Sequence, residues 1–216
     1  MRHGGCRCAS APVQLRHETL LTSEAYVAQS AWANASLSVC PRHPRGGCGL
    51  ARHGTYPRKT PVGMQVARYY CPTAQETFSL LPDCLASRFP GDLDDLERVV
   101  LHVEGARSIE AAADVLRPDI DLPSAVRWVR RRLGLVRATL ILALTLLDVG
   151  VEEARLSAVR TAWDTDRALV ALRTRATSHL GAWPRPLGFG PHRSARDAGR
   201  RGVPHAMGPD ATGPPE

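Results

Sequence analysis

The stretch CPRHPRGGC at 40–48 places Cys40, His43 and Cys48 on one tight turn, with His53 just beyond it and Cys71 further on in RYYCPTAQ. Thiolates and imidazoles are the donors of structural zinc, which takes four of them tetrahedrally, usually two from each of two short loops that fix geometry at low entropic cost. On that reasoning Cys40, Cys48 and Cys71 are candidate metal ligands, and the fourth is His43, His53 or Cys84. A paired motif would carry a second cysteine three residues after Cys71, but that position is Ala74. Zinc is thus a candidate cofactor with its fourth ligand open among three residues. The competing reading is a hairpin packed on buried thiols, because free cysteine behaves as a small hydrophobe. Cys6 and Cys8, in CRC, sit in an unpatterned segment and read as surface thiols.

Other chemistry is harder to place. The sequence contains no GxSxG, Walker loop or HExxH, and the glycine pairs at 4–5 and 46–47 lack the strand and helix that a phosphate loop requires. Asp164 and Asp166 fall on a helical pattern rather than on strands. The expectation is a protein that is not an enzyme.

The chain has 216 residues and 44% hydrophobic content, enough for a real core. A net charge of +7 suits a polyanion partner, although almost all of it is arginine, Lys59 being the only lysine, and GC-rich coding produces the same skew. The longest apolar run, ATLILALTLL at 138–147, is shorter than the ~20 residues needed to span a bilayer, and no signal-peptide pattern opens the chain. A cytoplasmic protein without a membrane segment is expected, and in a reducing compartment its cysteines are metal ligands or buried thiols rather than disulfides.

The elements that must position these residues can be read in order. Residues 1–39 form a loosely attached arm with one helix, SEAYVAQSAWANA. Residues 40–89 read as a zinc-ribbon-like β-hairpin, HGTYPRK to MQVARYYC, with Pro61 and Gly63 at the second and fourth places of a type I turn. From 90 to 149 the period becomes helical. Asp92, Asp94 and Asp95 load the start of the first helix, Ser108 caps the second, and a long third helix from about Ser124 carries Val126, Val129, Leu133, Val136 and Leu140 at three-four spacing. One further packing helix occupies 150–180, folding back on the third to make a helical hairpin. Residues 181–216, rich in Pro, Gly and Arg, read as a disordered tail. The fold class expected is mainly α with a small β-hairpin element.

The order of CP, a later CG, RHGTYPRK, a hairpin, RYYC and TFSLLPD, followed by a helical unit ending in RWVRRRL, resembles the N-terminal zinc-ribbon plus helix-turn-helix region of bacterial insertion-sequence transposases and their stand-alone relatives. The resemblance covers about residues 40–135. It implies a ribbon and a DNA-binding trihelical unit. Such ribbons end in a CxxC, which is absent here, and the catalytic α/β domain of those enzymes has no counterpart after residue 150.

In a helix-turn-helix the third helix enters the major groove. That makes Arg127, Arg130 and Arg131, off the apolar seam, candidate contacts to double-stranded DNA, with Arg132 and Arg137 nearby and Ser124 at the helix start, where free N–H groups could meet a phosphate. Trp128 reads as core. The connection RPDIDLP is long and carries Asp119 and Asp121, which would repel phosphate. The seam needs a partner, either the following helix or a second copy in a homodimer through Val126, Val129, Leu133, Val136 and Leu140. A non-catalytic protein-interaction module, or a decayed mobile-element remnant, is the alternative to DNA binding.

Overall fold

The computed structural model describes residues 12–190. Strands β1 (Val13–His17), β2 (Ala51–Pro57), β3 (Gln65–Cys71) and β4 (Glu76–Pro82) form one sheet in the order β1-β4-β3-β2. β1 runs parallel to β4, and the other pairs are antiparallel. Because side chains alternate along a strand, Ala67, Tyr69 and Cys71 share one face with Phe78 and Leu80 and pack on Ala35, Cys40 and Cys48. Val66 and Leu81 point the other way, onto Tyr26, Met64, Cys84 and Leu85.

The expected hairpin forms as β2–β3, but its turn sits one residue later than the sequence suggests. The Met64 N–H donates to the Pro61 carbonyl at 3.3 Å, and Gly63 has φ +79°, so glycine holds the third place of the turn, where a type II geometry requires a positive φ.

The expectation of a mainly α chain with only a hairpin is overturned: the described residues form a mixed fold of a four-stranded mixed sheet with six α-helices. The hairpin gains β4 from ETFSLLP, and β1 comes from the arm, which also supplies α1 (Ser23–Ala28). VQLRH has too few alternating positions to announce a strand locally; it becomes one because β4 offers a free edge.

Helices α2 (Leu93–Gly105), α3 (Ile109–Leu116) and α4 (Leu122–Leu146) follow, capped at their starts by the side chains of Asp92, Ser108 and Asp121. The α4 seam is buried within one chain. Val126 and Val129 cluster with Ala113 and Ala125, while Leu133, Val136 and Leu140 join Leu93, Leu96 and Val100 in the main core. The five seam residues are at most 8% exposed, so that surface is already covered by the chain's own helices.

The single helix expected over 150–180 is two, α5 (Leu156–Trp163) and α6 (Ala168–Arg175), separated by Asp164 in the left-handed region. The expected helical hairpin with α4 is also replaced, since α2 packs against α3, α4, α5 and α6 alike. Neither α5 nor α6 has a side-chain cap of its own. Two glutamates of α2, two turns apart, serve instead. Glu104 accepts the N–H groups of Leu156 and Ser157 at 2.8 and 2.9 Å, and Glu97 accepts those of Ala168 and Leu169, both at 3.1 Å. A carboxylate at a helix N-terminus satisfies orphan donors and the helix dipole together.

The disordered tail expected from 181 is corrected over its first ten residues. Trp183 and Leu187 are buried in the main core. Arg173, fully buried, holds the segment by donating to the carbonyls of Leu187, Pro186, Asp83 and Leu85 at 3.1, 2.8, 2.8 and 2.7 Å. The rest of that expectation, 191–216, lies outside the described residues, as do Cys6 and Cys8.

Candidate functional site

Residues 40–48 loop over the face of the sheet that carries Cys71. Gly46 and Gly47, at φ +81° and +77°, turn the chain back so that Cys48 returns beside Cys40, a conformation that a β-carbon would strain. A bidentate ion pair between Arg42 and Glu76, at 2.7 and 2.9 Å, ties this loop to the start of β4 and holds the Glu76 carboxyl below its usual range. The second loop, after β3, is joined to the first by the Thr73 hydroxyl, which donates to the Cys48 carbonyl at 3.2 Å.

These loops bring together Cys40, His43, Cys48 and Cys71, whose ligand atoms all lie within 4.8 Å of one another, a set that could hold a metal ion. His43 Nδ1 is 3.6 Å from the Cys40 sulfur and 3.5 Å from the Cys71 sulfur. With Zn–S near 2.3 Å and Zn–N near 2.05 Å, a tetrahedral site requires S···N edges of about 3.6 Å, so the His43 nitrogen stands at coordination spacing from the sulfurs of Cys40 and Cys71. Of the three candidates for the fourth ligand, the structure brings in His43. His53 lies on β2, exposed, with its ring against Tyr70. Cys84 is buried in the separate cluster around Tyr26 and Met64, where burial pushes its thiol up to about 11.

The electrostatics favour thiolate at Cys40. Burial pushes the Cys40 thiol up, but the His43 ring and the backbone N–H groups of Arg42 and His43 pull it down further, to about 6. Cys48, dominated by burial, is raised. Cys71 accepts the N–H of Ala74 at 3.4 Å. Ala74 occupies the place of the second cysteine of a paired motif; its backbone completes the turn around Cys71, and His43 stands beside that sulfur instead. A metal held by all four of these residues would staple the two loops and leave no position for a water. The signal that sequence reasoning undervalued was the Gly46–Gly47 pair, which lets nine residues close on themselves.

The arginines of α4 divide into two groups. Arg127, Arg130, Arg131 and Arg137 are exposed. At 100° per residue they fall within an arc of about 120°, away from the buried seam. Arg132 is instead half-buried, its guanidinium 3.6 Å from the centre of the Trp128 ring and 5.4 Å from that of Phe89. Arg117 lies over Trp128 at 5.2 Å. Desolvation, with Arg117 and Arg131 close by, lowers Arg132 to about 10. Trp128 packs with the α3–α4 cluster. Ser124 does not present a free N–H: Asp121 accepts it at 2.9 Å, and the Ser124 hydroxyl accepts from Arg127 at 2.8 Å. Arg130 pairs with Glu110 at 3.3 Å, and Asp119 is neutralised by Arg117 at 2.8 Å.

Among the described residues no helix is long and apolar enough to cross a membrane. Comparison of the chain with protein-family models, with curated proteins and with solved structures finds no match.

Proposed function

We propose that this chain is a non-catalytic protein that binds double-stranded DNA through the exposed arginines of α4, with zinc in the Cys40–His43–Cys48–Cys71 set as a structural staple. The observation that carries the reading is the segregation along α4. Its seam is fully used against α2 and α3, while Arg127, Arg130, Arg131 and Arg137 stay exposed on the opposite arc. Small residues, Ala113 against Ala125, let α3 cross α4 closely, as a brace under a reading helix must. The resemblance to the ribbon and helix-turn-helix region of insertion-sequence transposases points the same way. Three sulfurs and one imidazole drawn together suit zinc over harder cations, which prefer oxygen ligands.

The deciding experiment is a titration with mixed-sequence duplex DNA at two salt concentrations. Binding with a negative log-log salt slope, weakened in an Arg127→Ala/Arg130→Ala double variant, supports the reading. Absence of binding in the folded protein would assign the helical unit to protein interaction instead.

A further inference from the structure

The sheet face opposite the cysteine loops carries a second site. Gln14, Ser79 and Arg68 stand side by side on β1, β4 and β3, in one register row across the sheet. Each has a buried polar atom without a partner: Gln14 Oε1, Ser79 Oγ and Arg68 Nε. Ser79 is 0% exposed. Unsatisfied buried polar atoms are rare in folded proteins, and three adjacent ones in a row call for a partner outside the protein.

Charge narrows its chemistry. Several other partly or fully buried arginines are answered: Arg16 by Asp83, Arg167 by Asp94, Arg58 by the carbonyls of Ala86 and Phe89, and Arg173 by five carbonyls. Among the described residues Arg68 has no carboxylate or carbonyl acceptor; its guanidinium lies 5.4 Å from the Tyr56 ring centre. Alternation puts Gln14, Arg16, Arg68, Tyr70, Thr77 and Ser79 on this face of β1, β3 and β4, and none of them is acidic. Glu76, the acidic residue of those strands, is paired in register with Cys71 on the other face.

We infer that this row binds a phosphate group, its oxygens accepting from the Arg68 guanidinium, the Ser79 hydroxyl and the amide of Gln14, whose two ends exchange by rotation. A tetrahedral oxyanion meets all three with charge-assisted bonds. Tyr56 and Tyr70, on either side of Arg68, offer ring surface on which an attached base would stack, so a free phosphate and a nucleotide of a single strand share this chemistry. The site is separate from the α4 arginines and does not depend on duplex binding.

The test follows the Nε–Hε resonance of Arg68 in the ¹⁵N-labelled full chain during titration with inorganic phosphate, adenosine monophosphate or a short single-stranded oligonucleotide, against chloride at matched ionic strength. A saturable shift is expected. Loss of one charge-assisted bond should weaken binding about tenfold in Arg68→Gln, with a smaller loss in Ser79→Ala and none in Arg127→Ala/Arg130→Ala. Tighter binding of the oligonucleotide than of inorganic phosphate identifies a nucleic-acid strand as the source; equal affinities identify a free anion. If no ligand moves the Arg68 resonance of the wild-type protein, or if the α4 variant abolishes the response, the site assignment is wrong. The wild-type reading stands even where a variant fails to fold.

Discussion

His43 Nδ1 stands 3.5 Å from the sulfur of Cys71, although 28 residues separate them in the chain. That contact selects one of three candidate fourth ligands and joins the two loops into one site. We predict about one zinc per chain in protein purified under reducing conditions. His43→Ala should lower metal affinity by more than about 100-fold, since it removes a direct ligand where loss of an outer hydrogen-bond partner already costs up to about that much. His53→Ala and Cys84→Ser should retain the metal. Unchanged zinc content in His43→Ala, measured after dialysis against a weak chelator, would reject the assignment.

The Cys40 thiol, drawn below its ordinary value of 9.0 to about 6, should be a thiolate at neutral pH in the metal-free protein. Its alkylation rate should rise with a midpoint near pH 6, with Cys48 reacting only at higher pH because burial raises it. A thiol whose value is depressed by folding contributes stability that is fully present above about pH 9 and is lost as pH falls through about 6. Thermal unfolding of the metal-free protein between those values checks it, and a pH-independent alkylation rate would contradict it.

Uncapping α5 and α6 should be costly in different degrees. Glu104→Ala removes the acceptor of two N–H groups at a partly exposed helix start and should destabilise by about 1–2 kcal/mol. Glu97 is 2% exposed and lies 3.7 Å from Arg160, so Glu97→Ala should cost about 3 kcal/mol. Denaturant midpoints rank the two; equal effects would mean that the caps are not what holds these helices.

Arg173→Leu should destabilise by about 3 kcal/mol or more, because it strands several buried carbonyls at once. Hydrogen exchange should speed first at Phe189 and Gly190, whose N–H groups bond to Leu180 and Trp183. Protection that persists there would show that the Trp183 and Leu187 side chains suffice to dock the segment.

The α4 arginines should separate by role. Arg132→Ala loses its stack on Trp128 and should cost about 1 kcal/mol of stability. Arg127→Ala should leave stability nearly unchanged while reducing the salt dependence of duplex binding by about one counterion. A stability loss in Arg127→Ala as large as that in Arg132→Ala would undo the distinction.

Much of this protein is legible where a signal is local. Ser108 caps the helix it was expected to cap, Asp92 stands at the expected start of α2, β2 and β3 form the expected hairpin, and the three-four seam of α4 is buried. The candidate ligands Cys40, Cys48 and Cys71 also converge. The misses are equally physical. β1 is five residues whose strand character exists only beside β4. The break at Asp164 is invisible in a continuous helical pattern, and α6 is started by a glutamate of α2 rather than by its own cap.

By itself the sequence determined what short-range physics can decide: where helices begin, which face each buries, and which three cysteines could share an ion. Tertiary structure alone decided that β1 closes the sheet, that α2 covers the seam of α4, that His43 stands beside Cys71, and that Arg173 holds the segment after 181 in place. Those outcomes rest on donors and acceptors up to about ninety residues apart in the Arg173 network. Each is settled by burial, where an unmet polar group or an uncovered apolar face is too costly to keep, and no local pattern records which distant segment will meet it.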